Sequence, residues 1–242
     1  MCRSAEGWQC VHDGGVRAMT AAVVAIMAKT PRAGSVKTRL CPPLTADEAA
    51  GLYRCFLLDK IEQVRGLGGA QAAIAYTPPD GRREFEALAP DFLLVDQRDG
   101  DLGARLVQSF ESLFASGYAA ALAIDSDTPT LPMSFLRDAV QLVHTPAIDV
   151  VLGPSEDGGY YLVGLRAPQP DLFRDVAWST SGVLSEMIRR ADAKGLTIAC
   201  LPPWFDVDTP ADLEQLKRAL GQGESGEARH TRGFLAGLGG RA

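Results

Sequence analysis

Short apolar runs alternate with amphipathic stretches along most of the chain. The first run, residues 21–28, is apolar at nearly every position, which is typical of a strand buried on both faces of a sheet. Further runs that fit strands lie at 72–76, 92–95, 119–124, 149–152, 160–165 and 197–201. Strands separated by helical stretches are typical of βαβ units, and they predict an α/β fold with a mostly parallel central sheet.

Apolar residues recur at helical spacing between these runs. The clearest case begins at Thr45, which forms a capping-box pattern with Glu48, and its apolar stripe continues to Val64. The other predicted helices cover 82–88, 102–114, 132–143 and 179–193, and the last begins at 209. Ser179 or Thr180 is a suitable N-cap for the helix that ends near 193. Because the chain contains no repeat and no linker, we predict one domain.

The two ends of the chain lack this periodicity. Residues 1–19 contain too little apolar sequence for a signal peptide, so we interpret them as a disordered extension, with Met19 as a candidate first residue. Residues 221–242 are rich in Gly and Arg and are expected to form a loose tail. The predicted domain therefore covers 20–220.

Composition narrows the functional classes. The chain has 242 residues, of which 46% are hydrophobic and 22% charged, and a net charge of −6. This negative charge argues against a nucleic-acid partner, and no apolar run approaches the roughly 18 to 20 residues of a membrane span. Five scattered cysteines without a C-x-x-C pair give no zinc site and favour reduced thiols in a cytoplasm. The three histidines lie outside every motif, so acid, base and metal chemistry falls to carboxylates.

A cationic segment at 29–39, which we call the basic loop, follows the first predicted strand. It carries four cations in eleven positions and no acidic residue. Gly34 lets backbone amides come close to an anion, and Lys37 and Arg39 can neutralise that anion. Ligands of open α/β sheets bind beyond the carboxyl ends of strands, which favours a phosphate site over a solvated basic loop.

Two aspartates, Asp125 and Asp127, follow another predicted strand. A turn at this point lets both side chains converge on one hard cation such as Mg²⁺ or Mn²⁺, which prefers carboxylate and diphosphate oxygens. With no cation between them, mutual repulsion is expected to raise the pKa of at least one. An ordinary turn, which also favours Asp, Ser and Pro, stays the alternative.

Two further acidic segments follow later strands. One is the Ser-Glu-Asp-Gly-Gly segment at 155–159, which we call the acidic turn. A hairpin turn explains its aspartate but not the glutamate that precedes it. In the other segment, Asp208 or Thr209 can cap the last helix. The cap does not need Asp206, which is therefore the stronger candidate for a functional acid.

One loop and one aromatic residue are weaker candidates. Gln97 follows the third predicted strand, and Gly103 and Arg105 lie where a helix begins, either facing a ligand or simply starting the helix. Trp178 is suited to stacking on a sugar or base, or to filling the core. One cationic and three acidic segments at strand ends together predict a metal–nucleotide site.

The chain resembles the DUF2064 family in five ordered motifs. They read A-K-x-P-x-x-G-x-x-K-T-R-L, D-S-D-x-P-x-L-P, S-E-D-G-G-Y-Y-L-x-G-L, W-S-T and D-V-D-T-P-x-D-L. The resemblance spans residues 22–220 and implies a single-domain GT-A fold of the nucleotide-diphospho-sugar transferase superfamily, with glycosyltransferase activity; the family includes proteins associated with arsenosugar biosynthesis and radical-SAM neighbours. The same fold houses sugar-nucleotide pyrophosphorylases and guanylyltransferases with a similar basic loop, so it implies the fold more firmly than the reaction.

The resemblance also implies roles for particular residues. Nucleotide binding would fall to Lys29, Gly34, Lys37, Thr38, Arg39, Gln97, Gly103 and Arg105, with Gln97 and Gly103 near the base and Arg105 nearby. The metal, Mg²⁺ or Mn²⁺, would be bound by Asp125 and Asp127, with Asp206 as a further ligand as in related nucleotidyltransferases. The catalytic residues would be Asp157, Glu156 and Lys37, the two acids facing the acceptor.

Three functions fit these motifs. The preferred one is a glycosyltransferase that moves a sugar from a nucleotide-sugar donor to a small-molecule acceptor with a metal. The alternative is a nucleotidylyltransferase, which joins a nucleoside triphosphate to a phosphorylated small molecule and releases pyrophosphate. A nucleotide-sensing module is disfavoured by the number of acids aimed at one place. The base, the sugar, the acceptor, the stereochemistry and the oligomeric state stay open.

Overall fold

One sheet organises the residues that the computed structural model describes, 21–222 and 228–239. Its seven strands within these ranges are β1 Ala22–Lys29, β2 Ala70–Thr77, β3 Leu93–Asp96, β4 Ala120–Ile124, β5 Val150–Pro154, β6 Tyr160–Leu165 and β7 Ile198–Cys200. They lie in the order β3-β2-β1-β4-β6-β5-β7, and β6 alone runs antiparallel to its neighbours. The predicted α/β class and mostly parallel sheet are confirmed. The predicted extension at 1–19 lies outside the described residues and stays a prediction.

Helices cover both faces of this sheet. They are α1 Ala46–Arg65, α2 Arg82–Leu88, α3 Leu102–Ala115, α4 Met133–Val143, α5 Val183–Ala193, α6 Pro210–Gln222 and α7 Arg229–Gly239. Alternate residues of β1 point to opposite faces, so Ile26 packs in the cluster under α1, α4 and α6, and Ala25 in the cluster under α3 and α5. Coverage on both faces explains why β1 is apolar rather than alternating. None of the described helices is long and apolar enough to cross a membrane.

The helix boundaries test the capping predictions. Thr45 and Glu48 form the predicted capping box at the start of α1. The prediction that Ser179 or Thr180 caps α5 is wrong, because that helix begins at Val183. Ser179 has φ 63°, which a right-handed helix cannot continue, and the Thr180 hydroxyl donates instead to the carbonyl of Ala177 at 2.8 Å.

The prediction of a loose tail at 221–242 is wrong for residues 229–239, which form helix α7. Asp59 of α1 accepts hydrogen bonds from the first main-chain amides of α7 and from the Thr231 hydroxyl, the last at 2.6 Å. These bonds satisfy donors that an isolated helix leaves unpaired. Phe234 packs so tightly against Gly51 that a Cβ at this glycine would lie 2.8 Å from the ring. Residues 223–227 and 240–242 lie outside the described part of the chain.

Candidate active site

The predicted motifs meet at the carboxyl-end edge of the sheet. The basic loop follows β1, Asp125 follows β4, and the acidic turn joins β5 to β6. The chain leaves β1 toward β2 on one side and pairs with β4 on the other, which makes this edge a topological switch point. Open α/β sheets bind ligands in the crevice at such a point.

Two adjoining cavities open at this edge. The smaller cavity has about 400 Å³ and is lined largely by the basic loop, with Gln97 and Arg105 on its far wall. The larger cavity has about 600 Å³ and is lined by the acidic turn, by the Trp178–Val183 region and by the start of α6. The wall that the cavities share consists of Arg39, Leu102, Asp125, Asp127 and Asp208.

The cations of the basic loop divide into three groups. Lys29 and Arg39 are exposed and line the smaller cavity, as does the uncharged Thr38 beside Arg39. Arg32 turns away and pairs with Asp80 and Glu84 at 2.9 Å each. The fourth cation, the predicted phosphate ligand Lys37, is buried, and its surroundings differ from the prediction.

Lys37 lies between two carboxylates. Its Nζ is 2.7 Å from Oδ1 of Asp127 and 2.7 Å from Oδ1 of Asp208, and its side chain is 5% exposed. Burial opposes its charge, but the two aspartates outweigh burial and raise the pKa of Lys37. The basic loop thus folds back onto the acidic side of the crevice and places a cation beside Asp127, which the sequence did not predict.

Lys60 and Thr128 form a chain of hydrogen bonds that ends at the carboxylate of Asp125. The Thr128 hydroxyl donates to Asp125 Oδ1 at 2.6 Å, and the fully buried Lys60 donates to the Thr128 carbonyl and hydroxyl oxygens at 2.8 and 2.9 Å. Burial raises the pKa of Asp125, the nearby Lys60 opposes this, and the charge of Asp127 adds to it. Burial likewise lowers the pKa of Lys60. The sequence does carry a signal for Lys60, which interrupts the apolar stripe of α1.

The hydroxyl of Tyr53, on α1, bridges the basic loop and the segment 125–127 by hydrogen bonds. Its hydroxyl oxygen accepts from the Lys29 amide at 3.0 Å and is hydrogen-bonded to the Ser126 hydroxyl at 2.9 Å. The sequence analysis counted Tyr53 only as part of an apolar stripe. Its buried hydroxyl has a partner on each loop, so it fixes the distance between them.

The segment before α6 contributes two acids rather than one. Thr209 and Asp212 cap α6 together, since the Thr209 amide donates to Asp212 Oδ2 at 2.7 Å and the Asp212 amide to the Thr209 hydroxyl at 3.4 Å. The Asp208 amide also donates to Asp212 Oδ2, at 3.1 Å, but its carboxylate is free of the cap and pairs with Lys37, a role that the sequence did not reveal. Burial, followed by the charges of Asp157 and Asp208, raises the pKa of Asp206 to about 6.

The acidic turn is held by two other segments of the chain. Glu156 donates its amide to the Trp204 carbonyl at 3.0 Å, and Asp157 Oδ1 accepts from the Gly159 amide at 2.8 Å. Gly158 has φ +92°, and a Cβ there would lie 2.2 Å from the Ser181 carbonyl oxygen. Glu156 and Asp157 are exposed and line the larger cavity, as a role toward an acceptor requires.

Three predicted nucleotide residues have other structural tasks. The side-chain nitrogen of Gln97 donates to the carbonyl of Ala75 at 2.6 Å, which ties the end of β3 to β2. Gly103 allows α3 to approach Phe173, because a Cβ would lie 2.2 Å from its carbonyl oxygen. Gly34 has φ +74° but is not among the residues that line the smaller cavity, where Ser35 is.

Two aspartates of the shared wall, together with Asp206 of the larger cavity, form a donor set that fits a hard divalent cation. Asp125, Asp127 and Asp206 supply only carboxylate oxygens, which Mg²⁺ and Mn²⁺ prefer. Burial, and after it the charge of neighbouring carboxylates, raises the pKa of Asp125 and Asp206, and a bound divalent ion would offset that negative charge. Elsewhere in the described ranges, Asp59, Glu62 and His230 have ligand atoms that all lie within 4.8 Å of one another, a spacing that the three aspartates of the crevice do not meet. Asp59 already caps α7 there.

The fold is that of the nucleotide-diphospho-sugar transferases. A solved structure of a candidate nucleotide-diphospho-sugar transferase from Desulfovibrio desulfuricans G20 matches with a TM-score of 0.82 and 31% identity over 89% of this chain and 94% of that one. The profile of the DUF2064 family, described as "Uncharacterized protein conserved in bacteria", matches residues 60–180. The chain belongs to this family.

Two more distant relatives represent both kinds of transfer. The 2-phospho-L-lactate guanylyltransferase of Methanothermobacter thermautotrophicus is 24% identical over 210 residues, which cover 82% of this chain and 83% of that protein. Glucosyl-3-phosphoglycerate synthase of Mycobacterium tuberculosis, solved with Mn²⁺, uridine diphosphate and glucosyl-3-phosphoglycerate, has a TM-score of 0.50 and 15% identity over 90% of this chain and 78% of that one. The synthase is similar to this chain in fold alone.

Proposed function

We propose that this protein is a metal-dependent glycosyltransferase that transfers a sugar from a nucleotide-sugar donor to a small-molecule acceptor. The observation that carries the proposal is the pair of adjoining cavities with a shared wall of aspartates. Such a pair suits a reaction of two substrates, because each has a cavity of its own and the reacting atoms meet at the wall.

The smaller cavity suits the nucleotide. Lys29, Thr38 and Arg39 are exposed along it and offer two cations and a hydroxyl to phosphate oxygens. Gln97 and Arg105 line the same cavity and would lie near the base. The basic side of the crevice thus supports diphosphate binding without an acid in the loop itself.

The shared wall, with the adjoining Asp206 of the larger cavity, suits the metal. Asp125, Asp127 and Asp206 would hold Mg²⁺ or Mn²⁺, which when bound offsets negative charge on the diphosphate. Lys37 and Arg39 would then stabilise the charge that develops on the departing diphosphate.

The larger cavity suits the acceptor. In an inverting reaction, Asp157 or Glu156 takes the proton of the acceptor hydroxyl as its oxygen bonds to the anomeric carbon, and the bond from that carbon to the diphosphate breaks. Both carboxylates are exposed in this cavity, and Trp178 in its wall offers an aromatic surface to a sugar.

Nucleotidyl transfer is the second candidate, and the match to a guanylyltransferase over most of both chains favours it. In that reaction a phosphate oxygen of the acceptor bonds to the α-phosphorus of a nucleoside triphosphate, and pyrophosphate leaves. The acidic larger cavity disfavours it, since Glu156, Asp157 and Asp206 would repel a phosphorylated acceptor.

The released product separates the two reactions. A panel of nucleotide sugars and nucleoside triphosphates with Mn²⁺ is screened by thermal shift, and the stabilising donors are then assayed for release. Release of a nucleoside diphosphate from a nucleotide sugar supports glycosyl transfer. Release of pyrophosphate from a triphosphate, with no nucleotide sugar turned over, would select nucleotidyl transfer instead.

A matched pair of variants tests the assigned base. Asp157→Asn is expected to lower kcat by about 10² or more in an inverting enzyme, because general base catalysis contributes about 10² to 10⁴. Glu214→Gln removes an exposed α6 carboxylate that does not line either cavity and should leave kcat unchanged. Equal rates for both variants would remove Asp157 from the mechanism and leave Glu156 to be tested in the same way.

A further inference from the structure

The amino group of Lys37 lies between two carboxylates at the wall that the cavities share. Its Nζ is 2.7 Å from one oxygen of Asp127 and one of Asp208, the two aspartates that follow different strands and share the wall between the cavities. Arg39, the other cation near Asp208, is 3.8 Å from it and 74% exposed. Lys37 is therefore the buried positive charge that holds the two acidic segments together.

The backbone at Lys37 is in an unfavourable conformation. Its φ of 48° and ψ of 34° are left-handed, a conformation that is unfavourable for a residue with a Cβ. On either side of it, Val36 and Leu40 are buried, and the Leu40 amide donates to the Lys37 carbonyl at 3.0 Å, so the main chain of this part of the loop is anchored. The two ion pairs hold the Lys37 side chain inward, and their loss would free that side chain to turn toward the smaller cavity.

A divalent ion on Asp127 would have to share oxygens with this ammonium group. Two cations within about 3 Å of one carboxylate repel each other strongly in a buried site. The basic loop borders the smaller cavity, so a diphosphate bound there would offer Lys37 a second anionic partner. Departure of Lys37 toward the diphosphate would release both aspartates.

We infer that Lys37 is a built-in counter-ion that competes with the divalent cation for Asp127, while its second ion pair joins it to Asp208. The metal gains Asp127 when the lysine moves to the diphosphate, so metal and nucleotide bind together and the metal alone binds weakly. This inference rests on the proposed metal–nucleotide function and adds the order in which charge is exchanged within the site.

Binding of Mn²⁺ alone tests the competition without any turnover. The full chain is titrated with Mn²⁺, and the free ion is measured by electron paramagnetic resonance for the wild type, Lys37→Met and Arg39→Met. Lys37→Met is expected to bind Mn²⁺ about tenfold more tightly than the wild type, because a competing buried charge is gone. Arg39→Met removes the same charge from an exposed position and should change affinity by about twofold or less.

A second measurement uses the wild type alone, in case the Lys37 variant does not fold. Reductive methylation followed by mass spectrometry reports the reactivity of each lysine amine. Lys37 should be protected in the apo protein and become reactive on addition of Mn²⁺, whereas half-exposed Lys217 on α6 should react equally in both states.

The outcomes separate this inference from the proposed function. Equal Mn²⁺ affinities for the Lys37 and Arg39 variants, or continued protection of Lys37 in the Mn²⁺-bound wild type, would overturn the competition and leave the metal site standing. Absence of Mn²⁺ binding in the wild type and in both variants would overturn the metal site of the proposed function, and the competition with it.

Discussion

The basic loop and the acidic turn border the same crevice but are held in different ways. The acidic turn is fixed by main-chain bonds to distant segments: Glu156 donates to the Trp204 carbonyl, and the Gly158 carbonyl accepts from the Leu184 amide, both at 3.0 Å. Between Arg32 and Leu40, by contrast, the main-chain bonds join residues no more than four positions apart, all between 30 and 44.

Side-chain ion pairs hold the basic loop in place, whereas main-chain hydrogen bonds hold the acidic turn. Arg32 pairs with Asp80 and Glu84 on the surface, and Lys37 pairs with Asp127 and Asp208 inside. Charge pairs are readily exchanged for those of a ligand, whereas a clamped main chain is not. The acidic turn is thus preorganised for chemistry, and the basic loop is suited to closing on an anion.

Two glycines in left-handed conformations give the sharpest test of this contrast. Gly158→Ala is expected to cost about 2–4 kcal/mol of the free energy of unfolding, because backbone strain adds to a clash with the Ser181 carbonyl. Gly34→Ala should cost about 1 kcal/mol from strain alone, since an added Cβ meets nothing within 4 Å among the described residues. Urea unfolding measures both variants. Equal costs would mean that the acidic turn is not clamped.

The next prediction concerns the support beneath Asp125. Thr128→Val keeps the shape of the side chain but removes a donor to Asp125 and an acceptor for Lys60, which should cost about 2–3 kcal/mol because both partners are charged. Thr130→Val is the matched control, since the Thr130 hydroxyl is buried without a partner among the described residues. It should be neutral or slightly stabilising in the same unfolding experiment.

Local patterns predicted much of the fold and the neighbourhood of the site. The capping box at Thr45, the short helix at 82–88 and the strands of the sheet each depend on residues close together in sequence, and the structure confirms them. The meeting of the basic loop with the acidic segments at one edge follows from the rule that parallel strands end together. These features needed no knowledge of distant contacts.

What the sequence could not supply are pairings between distant positions. Lys37 and Asp208 are 171 residues apart, and the Asp59 cap on Thr231 spans 172. Without the fold, the basic loop was seen as facing a phosphate and the C-terminal glycines as a loose tail. Lys60 is different, because a lysine within the apolar stripe of α1 was visible in the sequence and indicated a buried charge with partners.

A smaller effect on the free energy of unfolding is expected for the Tyr53 hydroxyl, which bridges the two sides of the crevice. Tyr53→Phe removes the hydroxyl that bonds the Lys29 amide and the Ser126 hydroxyl, and should cost about 1 kcal/mol. Tyr160→Phe is the control, because its hydroxyl is buried without a partner among the described residues, so stability should hold or rise. A larger loss of stability in Tyr160→Phe than in Tyr53→Phe would contradict the bridging role of the Tyr53 hydroxyl.

The smallest effect is expected for the surface attachment of the basic loop. Arg32→Ala removes both ion pairs, to Asp80 and to Glu84, yet the urea midpoint should not change measurably, because exposed ion pairs contribute little and are screened by salt. Amide hydrogen exchange at residues 33–36 should likewise match the wild type if Lys37, deeper in the crevice, restrains the loop. Faster exchange there in Arg32→Ala, suppressed again by a bound nucleoside diphosphate, would show that the surface pairs hold the loop open for its ligand. Arg32 rather than Lys37 would then be the residue that restrains the basic loop. The acidic turn would still be held by main-chain hydrogen bonds and the basic loop by ion pairs.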